Sequence, residues 1–415
     1  MRTLTVVSII VLVVCASWAE GEWTDWRGPT ADGRSEATGL PLTWSETENV
    51  VWKTPIHDLG HSTPVVLDGQ IWITTARENG TAMYAVCVDL ESGNVVHDIK
   101  VFEQTDPQDK NPANSYATPS AVVEEGRVYV HFGTFGTACL DSKTGEEIWR
   151  RTDLNCEHMQ GPASSPVLYE DLLIVHLEGT DAQFIAGLDK KTGKNVWRTD
   201  RPEEIYGDLK FYLKKAYHTP VILEIDGKDQ MVSNGSEAVM GYDPKTGEEI
   251  WRMVYGDDNT ISRIISGHGL LFINCGGGRS YRLRAVREGA VGDVTDSHVV
   301  WEVGEDVAHR SSPVLVDDLL YMITDKGVLT CLEAKTGERV WTEKLGGQYG
   351  ASLLYADERI YLLNEKGAAT VLKPGRSYEP LAVNALDGSF FASPAVAGQS
   401  LLLRTKTHLY RIASE

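Results

Sequence analysis

The sequence contains no C-x-x-C, no H-E-x-x-H and no G-x-S-x-G. Their absence removes the common zinc, dithiol-redox, metalloprotease and serine-hydrolase signatures. Basic charge is scarce: 39 Lys and Arg stand against 59 Asp and Glu, for a net charge of −20. Phosphate backbones bind basic surfaces, so nucleic acid is excluded as a partner. Long apolar runs are missing too. The one candidate, residues 4–14, is shorter than the roughly 20 residues a bilayer span takes. With Arg2 before it and the small residues Ser17 and Ala19 after it, the run reads as an export signal cleaved after Ala19. That places the mature chain in the periplasm or outside the cell. A lipid anchor on Cys15 fits less well, because Val14 stands where such signals put a small residue. Five cysteines follow the signal, Cys87, Cys139, Cys156, Cys275 and Cys331, and an odd number cannot all pair. No sustained helical period occurs, which argues against an α/β fold.

What is present is a repeat. A phrase D-x-x-T-G-x-x-x-W runs from Asp141 through Thr144 and Gly145 to Trp149. It recurs from Asp189 through Gly193 to Trp197, from Asp243 through Gly247 to Trp251, and from Glu333 through Gly337 to Trp341. A weaker copy runs from Asp89 through Gly93 to His97. Its physics is that of a hairpin. Asp caps the turn by accepting from nearby backbone N–H groups, Gly supplies a positive φ, and the following strand ends in a large flat ring. Upstream of each phrase lie two more strand signals. One opens with a small residue and Pro, as in Thr63-Pro64, Thr118-Pro119, Ser165-Pro166, Thr219-Pro220, Ser312-Pro313 and Ser393-Pro394. The other is a β-branched or aromatic run after a polar turn, as in Ile71-Trp72-Ile73 and Val128-Tyr129-Val130. Cys87, Cys139 and Cys331 fall at one equivalent place and read as small buried hydrophobes.

Each unit therefore holds four strands, A to D. Two degenerate units, opening near Ile264 and Ala351, bring the total to eight units of roughly 40 to 55 residues, a blade-like length. The last unit has only three strands, while residues 49–53, carrying Trp52, form an unattached strand D. Joining the two ends closes a ring and removes sheet edges. The expectation is all-β: an eight-bladed β-propeller of four-stranded antiparallel blades, closed by the N-terminal strand. Residues 1–19 are the signal, 20–43 a leader, and 44–415 the propeller. A β-solenoid that does not close is the structural alternative.

The D-x-x-T-G-x-x-x-W phrase resembles the docking motif of propeller repeats of the pyrroloquinoline-quinone (PQQ) type. The resemblance implies that Trp52, Trp149, Trp197, Trp251, Trp301 and Trp341 stack on the neighbouring blade, with the Gly leaving room. The stretch Trp23, Trp26, Arg27, Gly28 and Pro29, followed by Gly39, Leu40, Pro41 and Trp44, is similar to the leader of secreted bacterial members. Two kinds of function come with the family. Quinoprotein dehydrogenases hold PQQ beside calcium, and many carry adjacent cysteines; here no cysteines are adjacent and no calcium triad can be matched. The propeller lipoprotein of the outer-membrane assembly machine has no cofactor and holds partner proteins. The resemblance implies a monomeric, non-catalytic binding or scaffolding propeller of the cell envelope. A PQQ-dependent oxidoreductase is the alternative, with PQQ and calcium as its cofactors.

Candidate site residues follow from blade geometry. Residues just before strand A and at the end of strand B share one face, at the mouth of the central channel. They include His61, Tyr116, His131, His158, His176, His218, Arg263, His309, Arg310 and Tyr349. Such a set could hold a small anionic or aromatic ligand by charge-assisted hydrogen bonds and stacking. It is equally what a solvated channel mouth needs. Metal ligation is not expected, since no close-spaced pair of ligands occurs. Two long D-to-A connections, residues 102–116 and 202–217, fall on the same face. The second carries Lys210, Phe211, Tyr212, Lys214, Lys215 and Tyr217, a basic and aromatic patch in an acidic protein and a candidate protein-contact loop. A long loop at residues 287–298 is expected on the opposite face.

Overall fold

The computed structural model describes residues 22–256, 261–276 and 281–414. The expected export signal and Cys15 lie outside the described residues. Eight antiparallel sheets form the body. In blade 1 the strands are Val65–Leu67, Gln70–Ala76, Ala82–Asp89 and Val95–Glu103. The first strands of the next seven blades are Val122–Glu124, Val167–Tyr169, Val221–Ile225, Ile265–Gly267, Val314–Val316, Leu354–Ala356 and Ala395–Ala397. The last blade takes its fourth strand from the start of the chain. Val50–Pro55 runs antiparallel to His408–Ala413, with Lys53 opposite Tyr410. Both degenerate units are complete blades. Among the described residues, no helix is long and apolar enough to cross a membrane.

The core lies between blades. One cluster joins Val65 and Trp72 of blade 1 to Val128 and Val130 of blade 2. The repeated phrase makes these joints. Asp141 Oδ1 accepts from the N–H groups of Lys143 and Thr144, at 3.0 and 2.7 Å, and Asp189 does the same for Lys191 and Thr192. The indole N–H of most docking Trp residues donates to a carbonyl in the next blade's turn. The pairs are Trp52 to Leu90 (2.9 Å), Trp149 to Lys190 (3.0 Å), Trp197 to Pro244 (3.2 Å) and Trp301 to Ala334 (3.0 Å). The turn glycine is required on two counts. Gly193 has φ of 71°, and a Cβ there would stand 2.5 Å from the Trp149 ring. Trp341 donates to Gly375 although its neighbour lacks the phrase. Trp251 departs from the pattern. The next blade has lost the turn, so the indole donates to Gln230 of its own blade, at 3.0 Å.

A β-bulge precedes the Trp position in all eight blades, for example between Glu147 and Trp149 and between Val50 and Trp52. The bulge swings the ring toward the neighbour and turns the preceding aliphatic side chain outward, as at Val51, Ile148 and Val196. Opposite the ring, strand C carries a small residue in most of the Trp blades, although Trp52 faces Arg411. Cys139 faces Trp149, Cys331 faces Trp341, and Gly187 and Gly241 face Trp197 and Trp251. All five described cysteines are free and buried. Burial pushes the Cys87, Cys139 and Cys331 thiols up to about 12, so they stay protonated and inert.

Two blades gain a fifth strand that the repeat does not announce. Arg34–Ser35 of the leader pairs in parallel with Tyr355 and Ala356 on the inner edge of blade 7. In the loop expected on the opposite face, Gly292–Asp293 pairs in parallel with Trp251 and Arg252, along the outer edge of blade 4.

Candidate binding face at the channel mouth

The residue two places before strand A stands at the inner edge of every blade, where consecutive strands A meet. In seven blades it is Ser or Thr, namely Thr63, Ser120, Ser165, Thr219, Ser312, Ser352 and Ser393; in blade 5 it is Arg263. Each backbone N–H donates to the hydroxyl of the next blade. The chain runs Thr63 to Ser120, Ser120 to Ser165, Ser165 to Thr219, Arg263 to Ser312, Ser312 to Ser352, Ser352 to Ser393 and Ser393 back to Thr63, at 2.8–3.2 Å. A short hydroxyl reaches the adjacent strand and satisfies an inner N–H that no ladder partner would take. The circle has one gap, between Thr219 and Arg263, where the hydroxyl is replaced by a guanidinium.

That guanidinium holds the leader. Arg263 pairs with Asp25, donates to the Pro220 carbonyl at 3.0 Å, and lies 5.9 Å from the centre of the Trp26 ring. The leader crosses the channel from one side of the ring to the other. Trp23 exchanges backbone bonds with Val66 of blade 1, at 3.0 and 2.8 Å, and the Thr24 carbonyl accepts from Val123 of blade 2. Arg27 then donates to the carbonyls of Pro313 and Leu353, in blades 6 and 7. The buried guanidinium of Arg27 is pushed down to about 9 by desolvation, against the pull of Asp32. Gly33, with φ of 81°, leaves the space that Arg27 fills. These contacts lie at the A-to-B turn end of the channel, which the leader spans.

The opposite end opens into a cavity of about 550 Å³, with Trp26 among its lining residues. Of the ten candidate residues, three line it: His61, His309 and Arg310. His61 stacks on Phe391 with ring centres 4.4 Å apart. Its pKa falls to about 3, through burial and then the charges of Arg404, Lys406, Lys110 and Arg310, so it is neutral. His309 stacks on Tyr281 at 4.5 Å and lies 3.2 Å from Asp325. Arg310 is held by Asp325 and Glu365, both at 2.9 Å. Burial would raise the Asp325 carboxyl, but His309 and Arg310 hold it below its usual value.

The other seven candidates are inside the wall. Tyr116 donates to the Gln108 carbonyl at 2.8 Å. His131 bonds Thr137 at 2.8 Å, and His158 accepts from the Thr134 N–H at 2.9 Å. His176 donates to the His218 carbonyl at 2.7 Å, and His218 to that of Ser262 at 3.0 Å, so these two histidines link blades 3, 4 and 5. Burial lowers His131 to about 3, His158 to about 4 and His218 well below its usual value. Tyr349 is buried under Gly327, and Arg263 anchors the leader. Arg263 was expected at the mouth but its guanidinium turns to the leader end of the channel, where it meets Asp25; for the other six the spacing gave no depth. The residues the repeat should have flagged are the Ser/Thr before each Pro, and Arg263 as the one exception among them.

The loop at residues 202–217 sits on this face and contains a helical turn, Glu203–Tyr206, and a 3-10 turn, Phe211–Leu213. Phe211 is 63 % exposed and Tyr212 38 %, their rings edge to face at 5.5 Å, with the Lys210 ammonium 5.9 Å from the Tyr212 ring centre. Lys214 donates to the Gly207 carbonyl. Lys215 is buried and donates to the Tyr212 carbonyl at 2.6 Å, so it bears on the loop's shape and not on its surface. Tyr217 donates to the His158 carbonyl at 3.0 Å and lines the cavity. Beneath the loop, buried Glu178 pairs with Arg201 and His176 and accepts from the Ser236 N–H at 3.1 Å, while the Ser236 hydroxyl donates to the Leu213 carbonyl.

The sequence matches the family model described as outer membrane protein assembly factor BamB, over residues 35–152, 108–273 and 287–389. The chain belongs to this family. BamB of Burkholderia pseudomallei is 30% identical over 114 residues, covering 27% of this chain and 29% of its own. The chain thus matches under a third of that curated relative's length. Among solved structures, BamB from Moraxella catarrhalis superposes with a TM-score of 0.62 at 11% identity, covering 88% of this chain and 99% of that one. Quinohemoprotein alcohol dehydrogenase from Comamonas testosteroni gives 0.65 at 12% identity, covering 95% and 80%. At such identities the likeness establishes the eight-bladed fold and nothing of the chemistry.

The residues of the mouth do not fit a quinone cofactor with calcium. Among the described residues no three His, Cys, Asp or Glu side chains are grouped so as to hold a metal ion. The one guanidinium lining the cavity is already held by two carboxylates, which leaves Lys326 as the remaining lining cation, and a PQQ-like tricarboxylate needs several.

Proposed function

We propose that the protein is a non-catalytic binding propeller of the cell envelope, exported by its N-terminal signal, which captures a protein partner through the loop at residues 202–217. The observation that carries this reading is the exposed Phe211–Tyr212 pair with Lys210 beside it, on a loop fixed from below by Ser236, Lys215 and buried Tyr206. Exposed aromatics on a pre-formed platform are effective anchors, because little side-chain or loop entropy is lost on binding. The family model, whose description names an assembly factor, supports the same reading.

Site-specific crosslinking from position 212 in the native envelope tests it. One dominant protein adduct is expected, lost in Phe211→Ala and in Lys210→Glu while circular dichroism is unchanged. A crosslinking pattern insensitive to both variants sinks the proposal. Dye-linked oxidation of alcohols or sugars after adding PQQ and calcium would replace it with the oxidoreductase reading.

A further inference from the structure

We propose that the cavity at the channel mouth is a binding site for a neutral saccharide. The proposal rests on the reading of the protein as a binding propeller, but on its cavity and not on its loop. At about 550 Å³ the cavity falls within the roughly 300–1,000 Å³ typical of small-molecule sites. Three features of its lining select the chemistry.

The first is charge balance. The formal charges on the lining are Arg310 and Lys326 against Asp325 and Glu365. His61 adds none, since its pKa lies near 3. Lys110 and Lys406 stand close by, but each lies over an aromatic ring, Tyr116 and Phe391 respectively. The Arg and Lys groups of the lining equal its carboxylates in number, Asp325 and Glu365 are already paired with Arg310, and desolvating a further ion there would be unfavourable.

The second is the type of polar group. Asn111, Asn114, Gln160 and Gln348 place four carboxamides on the lining; Asn111 and Asn114 are engaged by neighbouring groups, and the amide ends of Gln160 and Gln348 make no hydrogen bond to the described residues. A carboxamide offers an acceptor and a donor side by side, whereas an ammonium only donates and a carboxylate only accepts. A sugar hydroxyl also does both, so adjacent hydroxyls on a ring match an amide edge in both directions. Phosphates, carboxylates and flat apolar molecules do not use that match.

The third is the set of flat surfaces. Trp26 lines the cavity with Arg263 near its ring and is the main flat surface; Phe391 lines it too, with His61 stacked on it and Lys406 over it. Both rings are held and partly exposed. The C–H groups on one face of a pyranose pack against such a ring, while the hydroxyls at its rim reach the amides. An aromatic floor with amide walls is complementary to a body that is apolar above and below and polar around its edge.

The test is calorimetric titration of the full-length protein with neutral disaccharides (cellobiose, maltose and N,N′-diacetylchitobiose), beside glucuronate and phthalate. At least one neutral disaccharide is expected to bind, with glucuronate and phthalate at least about tenfold weaker, a gap near 1.4 kcal/mol. Trp26→Ala removes the platform and is expected to abolish binding. Because Trp26 belongs to the leader, Gln348→Ala, on an exposed side chain, is the companion variant. It is expected to weaken binding by about threefold to tenfold, the worth of one hydrogen bond, with an unchanged melting temperature. Phe211→Ala is expected to leave sugar binding intact, so this result and the loop crosslink fail or succeed separately. Preference for the anionic probes, no binding by any of the three disaccharides, or binding untouched by both Trp26→Ala and Gln348→Ala overturns the proposal.

Discussion

At the joints of Trp149, Trp197 and Trp301 a single indole does three things. It covers apolar surface of the next blade, donates to a turn carbonyl, and fills the space left by a glycine and by a small residue across the strand. Trp197, with Pro244, Gly247 and Gly187 around it, shows all three. Trp197→Ala should therefore destabilise by about 3–5 kcal/mol, the range for truncating a buried aromatic, read from urea denaturation. The buried histidines set a pH dependence of definite sign. The folded-state pKa values of His131 and His158 lie near 3 and 4, and that of His218 is also depressed, against about 6.5 in the unfolded chain. Below pH 6.5 the unfolded chain takes up protons that the folded one refuses. Stability is therefore full above that pH and falls as it drops toward 4, by up to about 1.4 kcal/mol per pH unit for each histidine. Differential scanning calorimetry at pH 7.5, 6 and 5 should show a steepening loss, and His131→Gln should remove one histidine's share of the slope.

The leader is the element the repeat could not foretell. Its residues carry no strand period, and its partners lie far off in sequence, on Val66, Val123, Pro313 and Leu353. The resemblance of residues 23–29 to a family leader gave its existence but not its place across the channel. The blade strands, in contrast, were legible because each is a local phrase written several times. Even blade 7, which has Ala382 at the Trp position, could be placed by counting units. The depth of the histidines was not legible, because one position before strand A can point into the mouth or into the wall according to the neighbouring loop. Arg263 ties the leader down, so Arg263→Ser should release it while supplying the missing hydroxyl to the inner circle. Limited proteolysis should then cut within residues 22–40 and leave the propeller intact. An uncut leader in that variant would show that Arg27 and the backbone bonds to blades 1 and 2 suffice alone.

At the scale of the molecule, closure makes one cooperative body of eight small sheets. The joint between Val50–Pro55 and His408–Ala413 spans nearly the whole sequence, so neither terminus can be removed without opening a sheet edge. Deleting residues 49–55 should broaden the single thermal transition and promote aggregation, measured by calorimetry with light scattering. A sharp transition at the original temperature would mean that seven complete blades and a three-stranded one hold together without the seam. The net charge of −20 acts at this scale too, as a repulsion that keeps such bodies apart.

The guanidinium at position 263 has a consequence beyond the leader it holds. Eight near-identical wedges offer a tethered segment eight almost equivalent berths, and such degeneracy invites misassembly. One odd wedge, carrying a cation where its seven counterparts carry a hydroxyl, serves as an index mark on the dial. An approaching carboxylate can settle at only one hour, and a rotationally repetitive object thereby acquires a fixed heading for whatever it carries.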